Sequence, residues 1–172
     1  MNMSSSESSS VVNVHGVLNT AWIEYVKTLT FQKDNYKSSS GRTIVPINWD
    51  ITPVGAGKHK RVRALVDQRI QKFLVKFLKT CYTVGLVLKY QPGGRINKHR
   101  DANGYGPLAV SVSSTDFNLG LQHEDGTEVI YNVGANQVIS FPSKLVHWAW
   151  HDTYEERLAI IGWSYSSWSA IK

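Results

Sequence analysis

Residues 82–101 read YTVGLVLKYQPGGRINKHRD, and the reading of this stretch decides the fold. Its first nine residues are rich in β-branched and aliphatic side chains, Pro92, Gly93 and Gly94 carry a turn signal, and a second short β-type run follows over 95–99. The run ends in His99-x-Asp101. In extended chain, residues i and i+2 project to one side, so this histidine and carboxylate converge. The pair is either part of a metal site or two polar residues beside a loop. A third ligand has to come from elsewhere, and the candidates are His15, His59, His123, His147 and His151.

Downstream the same texture continues. Counting the two runs above, eight short β-rich segments separated by Gly, Pro, Asn and Asp fill the chain to about residue 165; the others are LAVSVSS, FNLGLQH, TEVIYN, QVISF, LVHWAWH and RLAIIGWSY. Closely spaced strands preceded by helices predict an α+β, mainly β protein, a jelly-roll or related two-sheet barrel with N-terminal helices buttressing one face. A small β-sandwich without a cavity fits the same periodicity. In FPSKLVHWAWHDTYEERLAIIGW, residues 141–163, a Pro-Ser turn leads into a strand carrying His147, and a polar loop leads to a strand beginning near Arg157. A hairpin centred near residue 152 would set His147 opposite Arg157, aiming both into one cavity. His151 lies on the face of His147 but nearer the turn, so His147 is the preferred ligand.

Upstream, MNMSSSESSS (1–10) reads as a disordered tail, leaving 11–172 as one domain with its jelly-roll core at about 82–165. Thr20 is placed to cap a short helix in TAWIEYVKTL. FQKDNYKSSSGRT (31–43) reads as loop, and residues 31–62 are either a substrate cover or ordinary surface. A longer helix is expected across RALVDQRIQKFLVKFLKTCY, with Val66, Ile70, Phe73, Phe77 and Cys81 as its apolar stripe. Arg69, Lys72, Lys76 and Lys79 form another face, which GKHKRVR (57–63) extends into a positive surface.

The chain has 172 residues, 42% of them hydrophobic, and no apolar run of the roughly 20 residues that a bilayer span requires. A single cysteine excludes an internal disulfide, and an intracellular, cytoplasmic setting is expected. The net charge of +6 favours nucleic acid or other anions as partners, or serves solubility alone.

Two histidines and a carboxylate suit Fe(II), because they occupy one face of an octahedron and leave three positions for co-substrate and O2. A closed Zn(II) site would suggest hydrolysis and leaves Arg157 without a task. A guanidinium beyond the metal is what a dicarboxylate needs, since its planar fork holds the far carboxylate while the other end chelates iron, which points to 2-oxoglutarate.

These segments, LKYQPGGRINKHRD and FPSKLVHWAWHDTYEERLAIIGW, resemble the Fe(II)/2-oxoglutarate-dependent dioxygenases over roughly residues 82–165. The resemblance implies a double-stranded β-helix in which His99, Asp101 and His147 hold Fe(II), Arg157 anchors 2-oxoglutarate and Tyr90 donates a hydrogen bond to it. It also implies hydroxylation of a substrate C–H bond with release of succinate and CO2. Halogenating relatives lack the carboxylate that Asp101 provides. The Phe-Pro-Ser turn leading into His147 resembles prolyl-hydroxylase relatives, which act on a protein side chain. The segment GPLAVSVSS and the basic helix resemble the AlkB-like branch, which oxidises nucleic-acid bases; His123 and Trp148 could line either pocket. The remaining class is a metal-free basic β-barrel that binds without catalysis, with Arg157 paired to Glu155 or another acid.

Overall fold

A computed structural model of the chain describes residues 11–48, 50–55, 58–62, 67–101 and 105–165. The expected tail at 1–10 lies outside them, as do Gly57, Arg63 and Val66 of the basic segment and apolar stripe. The elements are β1 (Asn13–Val17), α1 (Ala21–Lys27), β2 (Gln32–Lys33), β3 (Ser39–Ile47), β4 (Asp50–Gly55), β5 (Lys58–Val62) and α2 (Gln68–Leu78), then β6 (Thr83–His99), β7 (Tyr105–Ser113), β8 (Phe117–Gln122), β9 (Glu128–Val133), β10 (Gln137–Pro142), β11 (His147–Trp150) and β12 (Arg157–Tyr165). The strands form an antiparallel jelly-roll ordered β1-β10-β7-β12-β6-β11-β8-β9, with β3 also paired to β6 and β2 to β3, while β4 and β5 make a separate hairpin.

The two runs expected on either side of Pro92 are one strand of 17 residues. The ladder of β6 to β12 runs as far as Tyr90, and its ladder to β11 begins at Arg95. The Pro-Gly-Gly segment therefore bends the strand from one sheet into the other instead of reversing it, with Gly93 at φ 79. Gly94 is needed at the bend, because a Cβ there would stand 2.7 Å from the carbonyl oxygen of Gly41 on the crossing strand β3. That crossing also corrects the loop expected over 31–43. Part of it is strand, since the backbone groups of Ser39 and Ser40 pair with Ile96 and Arg95 whatever their side chains prefer.

Alternation along the strands separates two cores. Val87, Val110, Val112, Val138, Leu158 and Ile160 face the helices, packing on Val26 of α1 and on Ile70 and Leu74 of α2. Residues of opposite parity, among them Ala109, Phe141 and Trp163, face the space between the sheets. Helix α1 sits where expected, but Thr20 makes no side-chain cap; Asn19 Oδ1 accepts the Ala21 N–H at 2.9 Å instead. Helix α2 is shorter than its stripe suggested. Asp67 caps it by accepting from the Arg69 and Ile70 N–H groups, and the left-handed Lys79 ends it, so that Cys81 lies beyond the helix and is exposed.

Leu74 seats α2 on the sheet over Gly162, where a Cβ would come within 2.2 Å of Leu74 Cδ2 and 3.0 Å of the Val84 carbonyl oxygen. Gly162→Ala is therefore expected to lower stability by about 1–3 kcal/mol in denaturant unfolding, the usual cost of overpacking a core. A change below about 0.5 kcal/mol would mean that the helix can shift freely on the sheet.

Candidate metal centre

The expected hairpin between His147 and Arg157 does not form. Strand β11 pairs with the C-terminal half of β6 and with β8, whereas β12 pairs with the N-terminal half of β6 and with β7. His147 consequently stands opposite His99, and Arg157 opposite Tyr90. The bent strand β6 touches both, so histidine and arginine still line one cavity of about 790 Å3, through a shared neighbour and not through each other. The polar loop between them crosses from one sheet to the other, which the local turn signal does not reveal.

His99, Asp101 and His147 come together with ligand atoms all within 4.8 Å of one another. Each histidine Nε2 is 3.4 Å from Asp101 Oδ1, and the side chains are only 9%, 7% and 4% exposed, so water competes little for them. His99 Nδ1 bonds the Asn97 carbonyl oxygen and His147 Nδ1 that of Leu145, both at 2.8 Å. Donation to a carbonyl requires Nδ1–H, which leaves the lone pair of each neutral ring on Nε2. Two lone pairs and a carboxylate oxygen thus point at one place, an arrangement that is repulsive unless a cation or protons lie between them. Donors held at about 2.1 Å around an octahedral ion are about 3 Å apart, near the 3.4 Å between each histidine Nε2 and Asp101 Oδ1. The donor set therefore fits a divalent transition metal.

The other carboxylate oxygen is also fixed. Trp163 Nε1 donates to Asp101 Oδ2 at 2.8 Å, and the indole is stacked on Tyr105 with ring centroids 4.4 Å apart. Burial works against ionisation of Asp101, but the His147 and His99 rings, when a proton rather than a metal sits on Nε2, and the Trp163 N–H outweigh it and hold the carboxyl well below its usual range. Trp163 was not singled out in the sequence, although its signal is there: it shares the parity of Arg157 on β12 and so the same face. Trp163→Phe is expected to weaken metal binding by roughly 10–100-fold, as loss of an outer-shell partner does, read by competition with a chelating indicator. Unaltered affinity would show that Asp101 holds its orientation without the indole.

At the other end of the cavity, Arg157 is 2% exposed and Tyr90 1%. The guanidinium lies against the Tyr90 and Phe117 rings, 4.3 and 4.7 Å from their centroids. Its Nη1 donates to Ser113 Oγ at 3.4 Å and the Tyr90 phenol lies against it, while Nε has no partner among the described residues. Among the described residues no carboxylate pairs with it, contrary to the ion pair with Glu155 or another acid expected of the metal-free barrel. Burial pushes its pKa below the usual arginine value, with Arg42 acting in the same direction. A buried guanidinium without a counter-charge is costly, and an anion in the cavity would relieve that cost.

Other candidates lie elsewhere. His151 donates to the Glu155 carbonyl oxygen at 3.2 Å and packs edge-on near Tyr90; it is outside the metal cluster. His123 bonds the Tyr131 hydroxyl and Trp148 covers Gly120, so neither lines the cavity. On the basic helix face, Arg69 lies over Tyr25 and Lys76 over Phe77. His15 bonds Ser140. Residues 32–36 and Arg42, within the stretch expected to be either a substrate cover or ordinary surface loop, form part of the cavity wall. Among the described residues no helix is long and apolar enough to cross a membrane.

No protein-family profile and no curated protein matches the chain in sequence. Solved structures do match in fold. A Pseudomonas putida prolyl-4-hydroxylase aligns over 91% of this chain and 93% of its own, with TM-score 0.61 and 15% identity. OsALKBH1, an AlkB homologue, aligns over 78% and 84%, with TM-score 0.56 and 12% identity. A Bacillus subtilis oxalate decarboxylase variant, SENS161-164DSSN, aligns over 79% of this chain but 28% of its own, at TM-score 0.51 and 12% identity. The chain thus has the double-stranded β-helix fold of the Fe(II)/2-oxoglutarate oxygenases, to which the prolyl-4-hydroxylase and the AlkB homologue belong.

Proposed function

We propose that the protein is an Fe(II)- and 2-oxoglutarate-dependent dioxygenase that hydroxylates a substrate C–H bond. The observation that carries this reading is one cavity with a converging His99, Asp101 and His147 at one end and, at the other, the buried Arg157, which no carboxylate among the described residues neutralises. Iron bound by the three donors would supply O2 activation coupled to oxidative decarboxylation of 2-oxoglutarate, giving succinate, CO2 and a hydroxylated product. The chain's own residues do the rest. Arg157 holds the distal carboxylate of the co-substrate, and the Tyr90 hydroxyl donates to it. Ile44, Leu86, Leu88 and Ala159 line the space with apolar groups that exclude water and strengthen both charge interactions. Asp101 occupies a ligand position with a carboxylate, which favours hydroxylation over halogen transfer.

A protein side chain is the substrate class favoured by the near-complete overlap with the prolyl-4-hydroxylase. The net charge of +6, with exposed Lys33 and Arg100 at the cavity wall, favours a second reading, oxidation of nucleic-acid bases. The test is anaerobic addition of Fe(II) and 2-oxoglutarate, which should develop a visible charge-transfer band, followed by air, which should yield succinate. Proline-rich peptides and methylated single-stranded DNA are then offered separately, and the true class is the one that stimulates succinate release. Absence of both band and succinate would overturn the dioxygenase reading.

A further inference from the structure

Arg42, Asp34 and Tyr90 form a polar group at the arginine end of the cavity. Arg42 Nη1 donates to the Tyr90 hydroxyl oxygen at 2.8 Å, and Arg42 Nε donates to Asp34 Oδ2 in an ion pair whose side chains are both 6% exposed. Asp34 is anchored in turn: it accepts from Ser39 Oγ at 2.9 Å and from the Tyr36 N–H at 3.0 Å. The same tyrosine ring lies under Arg157, 4.3 Å from the guanidinium carbon. Two guanidiniums therefore flank one phenol, yet among the described residues only Arg42 has a carboxylate.

Resting on the dioxygenase reading above, we infer that Arg42 and Asp34 are positioning residues for the co-substrate, acting through Tyr90 to select a 2-oxo acid that carries a distal carboxylate. The chemistry has two parts. A phenol oxygen that accepts from Arg42 keeps its own proton for donation elsewhere, and among the described residues no acceptor for that proton is present. The proton is then available to the carboxylate that Arg157 binds, and polarisation by Arg42 makes the phenol a stronger donor. Asp34 sets the charge. Neutralising Arg42 leaves Arg157 as the uncompensated cation of the group, one positive charge for one carboxylate. Without Asp34 the site would carry two, and the fork of Arg42 would turn from the phenol toward any anion present.

The experiment compares 2-oxoglutarate with 2-oxobutyrate, which keeps the chelating end and lacks the distal carboxylate. Binding of each to the anaerobic Fe(II) protein is read from the charge-transfer band. In the paired variant Arg42→Gln with Asp34→Asn, 2-oxoglutarate should bind roughly tenfold more weakly, the scale of one hydrogen bond to a charged group. 2-Oxobutyrate binding should stay within about twofold, as no distal contact exists to lose. Tyr90→Phe should give the same selective loss, and combining it with the pair should add little, because the arginine acts through the hydroxyl. Should the pair fail to fold, Arg42→Lys carries the test, since it keeps the charge on Asp34 and loses the fork that spans Asp34 and Tyr90. Equal weakening of both oxo acids, unchanged 2-oxoglutarate binding, or full additivity with Tyr90→Phe would overturn the inference. A wild-type protein that gives no band would instead remove the dioxygenase reading beneath it.

Discussion

Asp101→Ala is expected to abolish iron-dependent succinate formation and to weaken metal binding by more than the roughly 10–100-fold that losing an outer-shell partner costs. Its Oδ1 is the group that both histidine Nε2 atoms approach, and its negative charge is what two neutral imidazoles cannot replace. The fold should survive. The helix-facing core of Val87, Val110, Val112, Leu158, Ile160 and Leu74 lies on the other side of the sheet and does not depend on the site. The local cost is the Trp163 N–H left without its acceptor, about 1–3 kcal/mol in an unfolding titration. His151→Ala is the control and should retain iron, because that ring lies outside the cluster and bonds the Glu155 carbonyl instead. If Asp101→Ala bound iron as tightly as the wild type while His151→Ala did not, the metal centre would have to be redrawn around the wrong strand end.

Arg157→Lys should raise the 2-oxoglutarate requirement by one to two orders of magnitude, roughly 1.4–3 kcal/mol, with little change in iron affinity. An ammonium keeps the charge but cannot meet a carboxylate with two parallel N–H groups, and it loses the planar contact with the Tyr90 and Phe117 rings. Burial also pushes a lysine toward its neutral form, which removes the charge as well. Turnover at saturating 2-oxoglutarate should recover much of the wild-type rate, since the metal donors are untouched. A requirement that does not change would move the anchor to the neighbouring Arg42 and would contradict the charge assignment made for Asp34.

These two residues also show how far sequence reading reaches. His99 and Asp101 converge because of a property of two adjacent residues in extended chain, so their pairing was legible without any knowledge of topology. His147 and Arg157 were placed in one cavity for the wrong reason. The expected hairpin is absent, and the true cause is that both pair with opposite halves of β6, a strand that the sequence divides at Pro92. Turn chemistry at Pro92, Gly93 and Gly94 could signal either a reversal or a bend. The ladders distinguish them: one continuous strand pairs with β12 as far as Tyr90 and with β11 from Arg95, and Gly94 lets β3 cross closely at the bend.

By itself the sequence determined the mainly β class, the buttressing helices, the His-x-Asp pair and the faces on which His147 and Arg157 lie. All of these follow from periodicity, which is fixed by backbone geometry over a few residues. Tertiary structure alone decided which strands are neighbours, and with that the parts of the site that no local pattern encodes: Trp163 on Asp101, Ser113 beside Arg157, and Arg42 with Asp34 behind Tyr90. Those partners are 62, 44 and 48 residues apart for the three hydrogen bonds. Their meeting depends on strand register, and a shift of one residue would turn each of them to the opposite face.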